Sequence, residues 1–215
     1  MMRVLTGRRR LQFGTALMIC ILWGATGRAG QEESLRQVLF IGDSLTAGLG
    51  VMQEQAYPSL IQDRLDQAGK GRIRVINGGI SGSTSAGAHS RLKWYLRVKP
   101  DVLVLALGAN DGLRGLPVDA MKKNLARAIE LAKASHITVI LCGMEVPPNY
   151  GPGYAADFRR VFPDLARAYG IPLVPFLLEG VAGISGLNQA DGIHPNAPGH
   201  KIIADTVFPY ILEQL

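Results

Sequence analysis

The chain has 215 residues, of which 47% are hydrophobic and 19% charged. Those proportions suit one compact α/β or α+β domain with a sizeable core and argue against disorder. Among the basic residues behind the formal charge of +6, Arg3, Arg8, Arg9 and Arg10 crowd the extreme N-terminus. The remainder is only weakly basic, and no nucleic-acid partner is expected.

An uncharged stretch from Leu11 to Gly27 follows these arginines, and no acidic residue precedes Glu32. A basic n-region, an apolar h-region (Phe13 to Trp23) and then small residues make the pattern of a secretory signal. Residues 1–27 are therefore predicted to be a signal peptide cleaved near 27–29, before Arg28 or before Gly30. The predicted location is outside the cytoplasm, periplasmic or secreted. An uncleaved N-terminal membrane anchor is the alternative, because the uncharged stretch reaches the lower edge of a membrane span. A lipoprotein reading of Leu17-Met18-Ile19-Cys20 fails at Ile19, where a small residue is required. Cys20 falls in the signal, so Cys142 is left in residues 28–215 without an internal disulfide partner.

From Gln37 onward, short apolar runs alternate with amphipathic stretches, the βαβ pattern of a parallel sheet. Val38 to Ile41 reads as the first strand, and Tyr57 to Ala68 as the first long helix. Ile73 to Ile76 follows as a strand, Ser83 to Leu96 as a helix and Val102 to Leu107 as a strand. Val118 to Ala134 is a helix whose Met121, Leu125, Ala128, Ile129 and Ala132 form a core-facing stripe. Ile137 to Cys142 is a strand, with Cys142 expected to be buried, and Tyr154 to Tyr169 a helix. Leu173 to Val174 is a short fifth strand, and Ala197 to Leu212 a last helix, with Pro209 as a point for a kink. The strand runs are continuous rather than alternating, as strands buried on both faces require. The predicted fold is α/β, a three-layer α/β/α sandwich around a five-stranded parallel sheet, with residues 28–215 as a single domain. In such sheets the site lies beyond the carboxyl ends of the strands.

Segments rich in Gly and small polar residues occupy those ends. Gly42-Asp43-Ser44-Leu45 follows the first strand, Asn77 to Thr84 the second, and Gly108-Ala109-Asn110-Asp111-Gly112 the third. Asp191-Gly192-Ile193-His194-Pro195-Asn196 precedes the last helix. Acyl transfer needs a hydroxyl, a base in reach of it, a carboxylate to orient the base, and donors for the developing oxyanion. Ser44, His194 and Asp191 supply the first three. The Ser44 and Gly82 backbone N–H groups and the Asn110 side-chain amide are the candidate oxyanion donors.

Singly, each residue has a commoner reading. Ser44 can be a helix N-cap, Asp191 an Asx-turn residue, His194 a surface histidine, Asn110 a turn residue and Gly82 a relief for a turn. Their joint occurrence in this order favours catalysis. Asp43 is expected to bond backbone donors around the nucleophile turn, and Asp111 to fix its own turn. His89 and His136 are expected to be solvated, while His200, six residues from His194, is a rival base.

At Ser44, Gly82, Asn110 and His194, and in the blocks around them, the sequence resembles the GDSL or SGNH hydrolases. The resemblance covers nearly everything after the signal. Asn110-Asp111-Gly112-Leu113-Arg114-Gly115 and Pro148-Asn149-Tyr150-Gly151 followed by Tyr154 look most like a periplasmic branch with thioesterase, lysophospholipase and arylesterase activity. The resemblance implies a flavodoxin-like fold and a serine esterase that uses a Ser44-His194-Asp191 triad and a covalent acyl-enzyme, without metal or other cofactor. Ala109 departs from the family pattern, in which a second Gly often precedes the Asn.

Leu113, Leu116, Pro147, Pro148, Tyr150, Tyr154, Ile184 and Leu187 are apolar enough to wall an acyl-chain site. Leu113, Pro148, Tyr150 and Tyr154 are the chosen substrate-binding residues. The expected substrates are small-molecule acyl esters or lipids: arylesters, lysophospholipids and acyl thioesters. A carbohydrate acetylesterase on the same scaffold and a non-catalytic lipid-binding protein are the competing readings.

Overall fold

The computed structural model describes residues 35–215, so the predicted signal, its cleavage positions and the alternative anchor fall outside the described residues. Among the described residues no helix is long and apolar enough to cross a membrane. A five-stranded parallel sheet forms the centre. Its strands are β1 (Arg36–Gly42), β2 (Ile73–Asn77), β3 (Val102–Ala106), β4 (Thr138–Cys142) and β5 (Leu173–Val174). They lie in the order β2-β1-β3-β4-β5, that of the flavodoxin-like fold which the family resemblance implies. Val38 to Ile41 and Val102 to Leu105 are fully buried because β1 and β3 are covered on both faces, whereas edge strand β2 is only partly buried.

Among the described residues seven α-helices flank the sheet: α1 (Ser44–Ala47), α2 (Tyr57–Gln67), α3 (Ala88–Tyr95), α4 (Ala109–Leu113), α5 (Val118–Ala134), α6 (Pro152–Tyr169) and α7 (Ala197–Leu212). Right-handed crossovers decide which helices share a face. The step from β1 to β2 runs one way along the sheet and every later step runs the other. Accordingly α3 packs on α5 and α5 on α6, while α2 packs on α7. The predicted stripe on α5 is buried as expected.

Two of the expected helices are built differently from the sequence expectation. The predicted helix over 83–96 is divided into a 3-10 turn, Ser85–Gly87, then α3, then a second 3-10 turn, Leu96–Val98. Ser85 gives its N–H to the Asp111 carboxylate rather than to a carbonyl of its own segment. Helix α6 starts earlier, at Pro152, because proline has no N–H to strand at a first helical position. The short helices α1 and α4 stand at two of the Gly-rich strand ends, and α1 begins at Ser44 itself.

Helix α2 has no capping side chain of its own at Ala56. The fully buried Tyr57 N–H instead donates to His200 Nδ1 at 3.2 Å, and the two rings stack. His200 is thus a cap delivered from α7, and burial lowers its pKa from 6.5 to about 4. Because the unfolded chain takes up this proton first, the stability from His200 is complete above about pH 6.5 and is lost as pH falls toward 4. Asp43 acts oppositely: burial raises its pKa from 3.8 to about 6, so its contribution declines as pH rises through that window. His200→Phe keeps an aromatic ring but loses the acceptor, and should cost ~1 kcal/mol at pH 7 by urea unfolding. Between pH 7 and 5 it should also lose less stability than the wild type; an equal or larger loss would contradict this assignment.

Candidate active site

The turn after β1 is determined locally. A side chain at Gly42 would overlap Thr46, and one at Gly79 would overlap the backbone of Ala47, so both positions must be glycine. Asp43 is the N-cap of α1, its Oδ1 accepting the Leu45 N–H at 3.0 Å, and Gly48 closes the helix in the left-handed conformation with φ 77°. Ser44 is therefore the first helical residue rather than the cap. Its N–H is among those that a helix leaves without an intrahelical partner.

The His194 segment is held by side-chain contacts to backbone. Asn188 and Pro195 form an antiparallel bridge, and Gln189 Nε2 donates to the Pro195 carbonyl at 3.0 Å and the Leu49 carbonyl at 2.6 Å. Asn196 caps α7 by accepting the Gly199 N–H at 3.1 Å. Asp191 Oδ1 accepts the N–H groups of Ile193 at 2.9 Å and His194 at 3.0 Å, the Asx-turn anticipated as its alternative role. The other oxygen, Oδ2, lies 2.7 Å from His194 Nδ1, so one carboxylate shapes the turn and faces the ring. The His194 backbone N–H and ring, followed by the Ile193 N–H, hold the Asp191 carboxyl well below the usual range.

On the other side of the ring, His194 Nε2 lies 2.9 Å from Ser44 Oγ. With Asp191 accepting the Nδ1 proton, Nε2 is left to accept from the Ser44 hydroxyl. Ser44 is 8% exposed, whereas the His194 and Asp191 side chains are 21% and 45% exposed, so the chain runs from a buried hydroxyl to an open carboxylate. His200 lies in the α2 cap and is committed to Tyr57. His136 is exposed and His89 half-buried. Cys142 is fully buried, and burial pushes its thiol up to about 12, which disfavours a nucleophilic thiolate.

Asn110 stands on α4 with its side-chain amide donating to Asp43 Oδ2 at 3.4 Å. Asp43 is 1% exposed; burial raises its pKa to about 6, against the lowering effect of the Leu45 N–H and then the Asn110 amide. Gly82 has φ 76°, a left-handed conformation that favours glycine, and its carbonyl accepts from Arg114 Nη2 at 2.9 Å. The structure thus links Ser44, His194 and Asp191 directly, and Asn110 through Asp43.

A cleft of about 480 Å³ opens over Ser44, Asn110 and His194. Leu113 and Pro147 line it as expected, and Ala109 does too. Met144, Val146, Phe176, Leu178 and Ala182 supply further apolar wall that the sequence reading missed. Gly82, Tyr150 and Tyr154 are not among its lining residues. The Tyr150 hydroxyl donates to the Leu113 carbonyl at 2.7 Å and the Tyr154 hydroxyl to the Leu116 carbonyl at 2.9 Å, so both brace the loop after α4. Tyr150, Tyr154, Phe158 and Phe162 form a ladder of ring contacts, and Phe158 packs where a side chain at Gly112 would stand. Pro148 belongs to a 3-10 turn, Pro148–Tyr150, and its side chain lies outside the described part.

Arg91, on α3, reaches the strand ends beside the nucleophile turn. Its guanidinium donates to the carbonyls of Gly42 at 2.6 Å and Gly78 at 3.1 Å and to the Ser83 hydroxyl, pinning together the loops after β1 and β2. Among the described residues, no group of three or more His, Cys, Asp or Glu side chains is placed to hold a metal ion.

The chain is 42% identical to the esterase TesA of Pseudomonas aeruginosa over 83% of its own length and 89% of that protein. It is 36% identical to an arylesterase of Vibrio mimicus, covering 93% and 98% of the two chains. The crystal structure of a psychrotrophic esterase, EstA from Pseudoalteromonas sp., inhibited by monoethylphosphonate, superposes with a TM-score of 0.78. The sequence identity there is 37%, over 83% of this chain and 97% of that one. Residues 40–202 match the family model described as GDSL-like lipase/acylhydrolase, and the chain belongs to that family.

Proposed function

We propose that the protein is an exported serine esterase in which Ser44 attacks acyl esters, His194 moves the proton and Asp191 orients His194. The observation that carries this reading is the continuous contact from Asp191 Oδ2 through the imidazole to Ser44 Oγ, at 2.7 and 2.9 Å. The esterase relatives support the ester-hydrolase chemistry, and the N-terminal residue pattern supports export.

In the acylation step the Ser44 oxygen bonds to the substrate carbonyl carbon while His194 Nε2 takes the hydroxyl proton. The Ser44 and Gly82 N–H groups and the Asn110 amide receive the developing oxyanion. As the intermediate collapses, His194 returns the proton to the departing alkoxide, leaving an acyl-Ser44 ester. Water activated by the same imidazole then releases the acid and restores Ser44.

The walls formed by Met144, Val146, Pro147, Phe176 and Leu178 favour a substrate with an apolar acyl chain. Arylesters, lysophospholipids and acyl thioesters share that requirement. A small acetyl pocket for carbohydrate esters would want polar walls, and a lipid-binding protein without catalysis has no need of the Asp191-His194-Ser44 set.

An alkyl phosphonate should modify Ser44 alone, detected by peptide mass spectrometry; an active preparation that remains unmodified would disprove the nucleophile. Ser44→Ala and His194→Ala should each lower kcat by about 10⁶-fold, and Asp191→Ala by about 10⁴-fold, as in other triads. Full activity of His194→Ala would reject the proposed base. For the acyl group, p-nitrophenyl octanoate should be hydrolysed with higher kcat/KM than the acetate. A clear acetate preference together with deacetylation of acetylated sugars would replace the lipid-ester reading by the carbohydrate one.

A further inference from the structure

Asp111 follows Asn110 in an Asn-Asp-Gly sequence, where a carboxylate ordinarily bonds its own turn. Here it does something else. Its side chain is turned away from the cleft into the protein, with the residue 3% exposed, and both oxygens reach one residue on another loop. Oδ2 accepts the Ser85 N–H at 2.8 Å and Oδ1 the Ser85 hydroxyl at 2.6 Å. Ser85 is fully buried, and its oxygen also accepts from Asn124 Nδ2 at 3.1 Å. A carboxylate buried this deeply requires such donors, and hydrogen bonds to a charged acceptor are stronger than neutral ones.

The partners are placed in a telling way. Asp111 is adjacent to Asn110, and Ser85 lies three residues beyond Gly82. Helix α4 grips the Gly82 loop a second time through Arg114, which donates to the Gly82 carbonyl. The helix is itself fixed from behind, where a side chain at Gly112 would overlap Val146 and Phe158. Gly82, by contrast, has only Arg114 near its Cβ position, at 3.6 Å, so little packing of its own holds it.

We propose that Asp111 and Ser85 form a positioning pair that sets the separation of the two oxyanion donors Gly82 N–H and Asn110 Nδ2, with Arg114 as an outer tie. The proposal rests on the reading of those two groups as donors. Neither Asp111 nor Ser85 touches substrate. Their effect on rate is transmitted by the placement of the donors, and a displacement of about 1 Å in a catalytic constellation can cost about 100-fold.

The test uses kcat and KM for p-nitrophenyl octanoate, with kcat expressed per Ser44 titrated by phosphonate, so that unfolded protein does not count. Ser85→Ala and Asp111→Asn should each lower kcat by about 10- to 100-fold, with KM changed less than about threefold. Both should slow phosphonate labelling, and the double variant should be no worse than the more severe single, because one clasp is lost either way. Asn110→Ala is the reference and should lose about 100-fold or more. If Asn110→Ala loses that much while Ser85→Ala and Asp111→Asn keep wild-type kcat per titrated site, the pair is only structural and the proposal fails. If Asn110→Ala keeps full kcat, the oxyanion reading falls, and the pair with it. Should Asp111→Asn not fold, Ser85→Ala, which removes one oxygen atom, and the exposed Arg114→Gln decide the question by the same kcat criterion.

Discussion

The pairing of β1 with β3 is the constraint on which the rest of the molecule depends. Gly42 lies beside Ala106 in that register, and the chain changes direction across the sheet on either side of this pair. Helices diverge to opposite faces there, leaving a gap above the two strand ends. The turn after β1 brings Ser44 to that gap, and α4 brings Asn110. Because Val38 to Ile41 and Val102 to Leu105 are fully buried, the strand interiors can contribute packing alone, so the chemistry is concentrated at their ends.

Around that gap a small set of polar side chains substitutes for regular structure. Asp43 joins the nucleophile turn to Asn110, Arg91 gathers the carbonyls of two loops, and Asp191 shapes the turn that carries His194. Each satisfies backbone groups that a loop leaves without partners, at positions where a strand or helix is impossible. Asp43 and Arg91 thereby tie separate loops together beside Ser44.

Much of this was legible in the residues. Continuous apolar runs marked the strands, helical spacing marked α5 to the residue, and the four Gly- and Asn-containing blocks marked the family. Sequence fails where a residue's partner is far away along the chain. Asn-Asp-Gly reads as a local turn, yet Asp111 reaches back to Ser85. His200 near His194 reads as a second base, yet it caps α2. Tyr150 and Tyr154 read as cleft walls, yet their hydroxyls serve the backbone after α4, while Phe176 and Leu178 face the cleft from a segment with no distinguishing pattern.

The glycines around Ser44 also bear on how such a protein can vary. Backbone presses on backbone at Gly79 and Ala47, and a side chain at Gly78 would crowd the Phe40 carbonyl. This joint therefore tolerates neither insertion nor enlargement. Close to β4 and β5 the wall is restricted too, because a side chain at Gly143 would overlap the Pro175 carbonyl, but farther out Ala182 is exposed at the rim of the cleft. Variation in accepted acyl groups is accordingly expected to accumulate at that rim, while the nucleophile joint stays invariant.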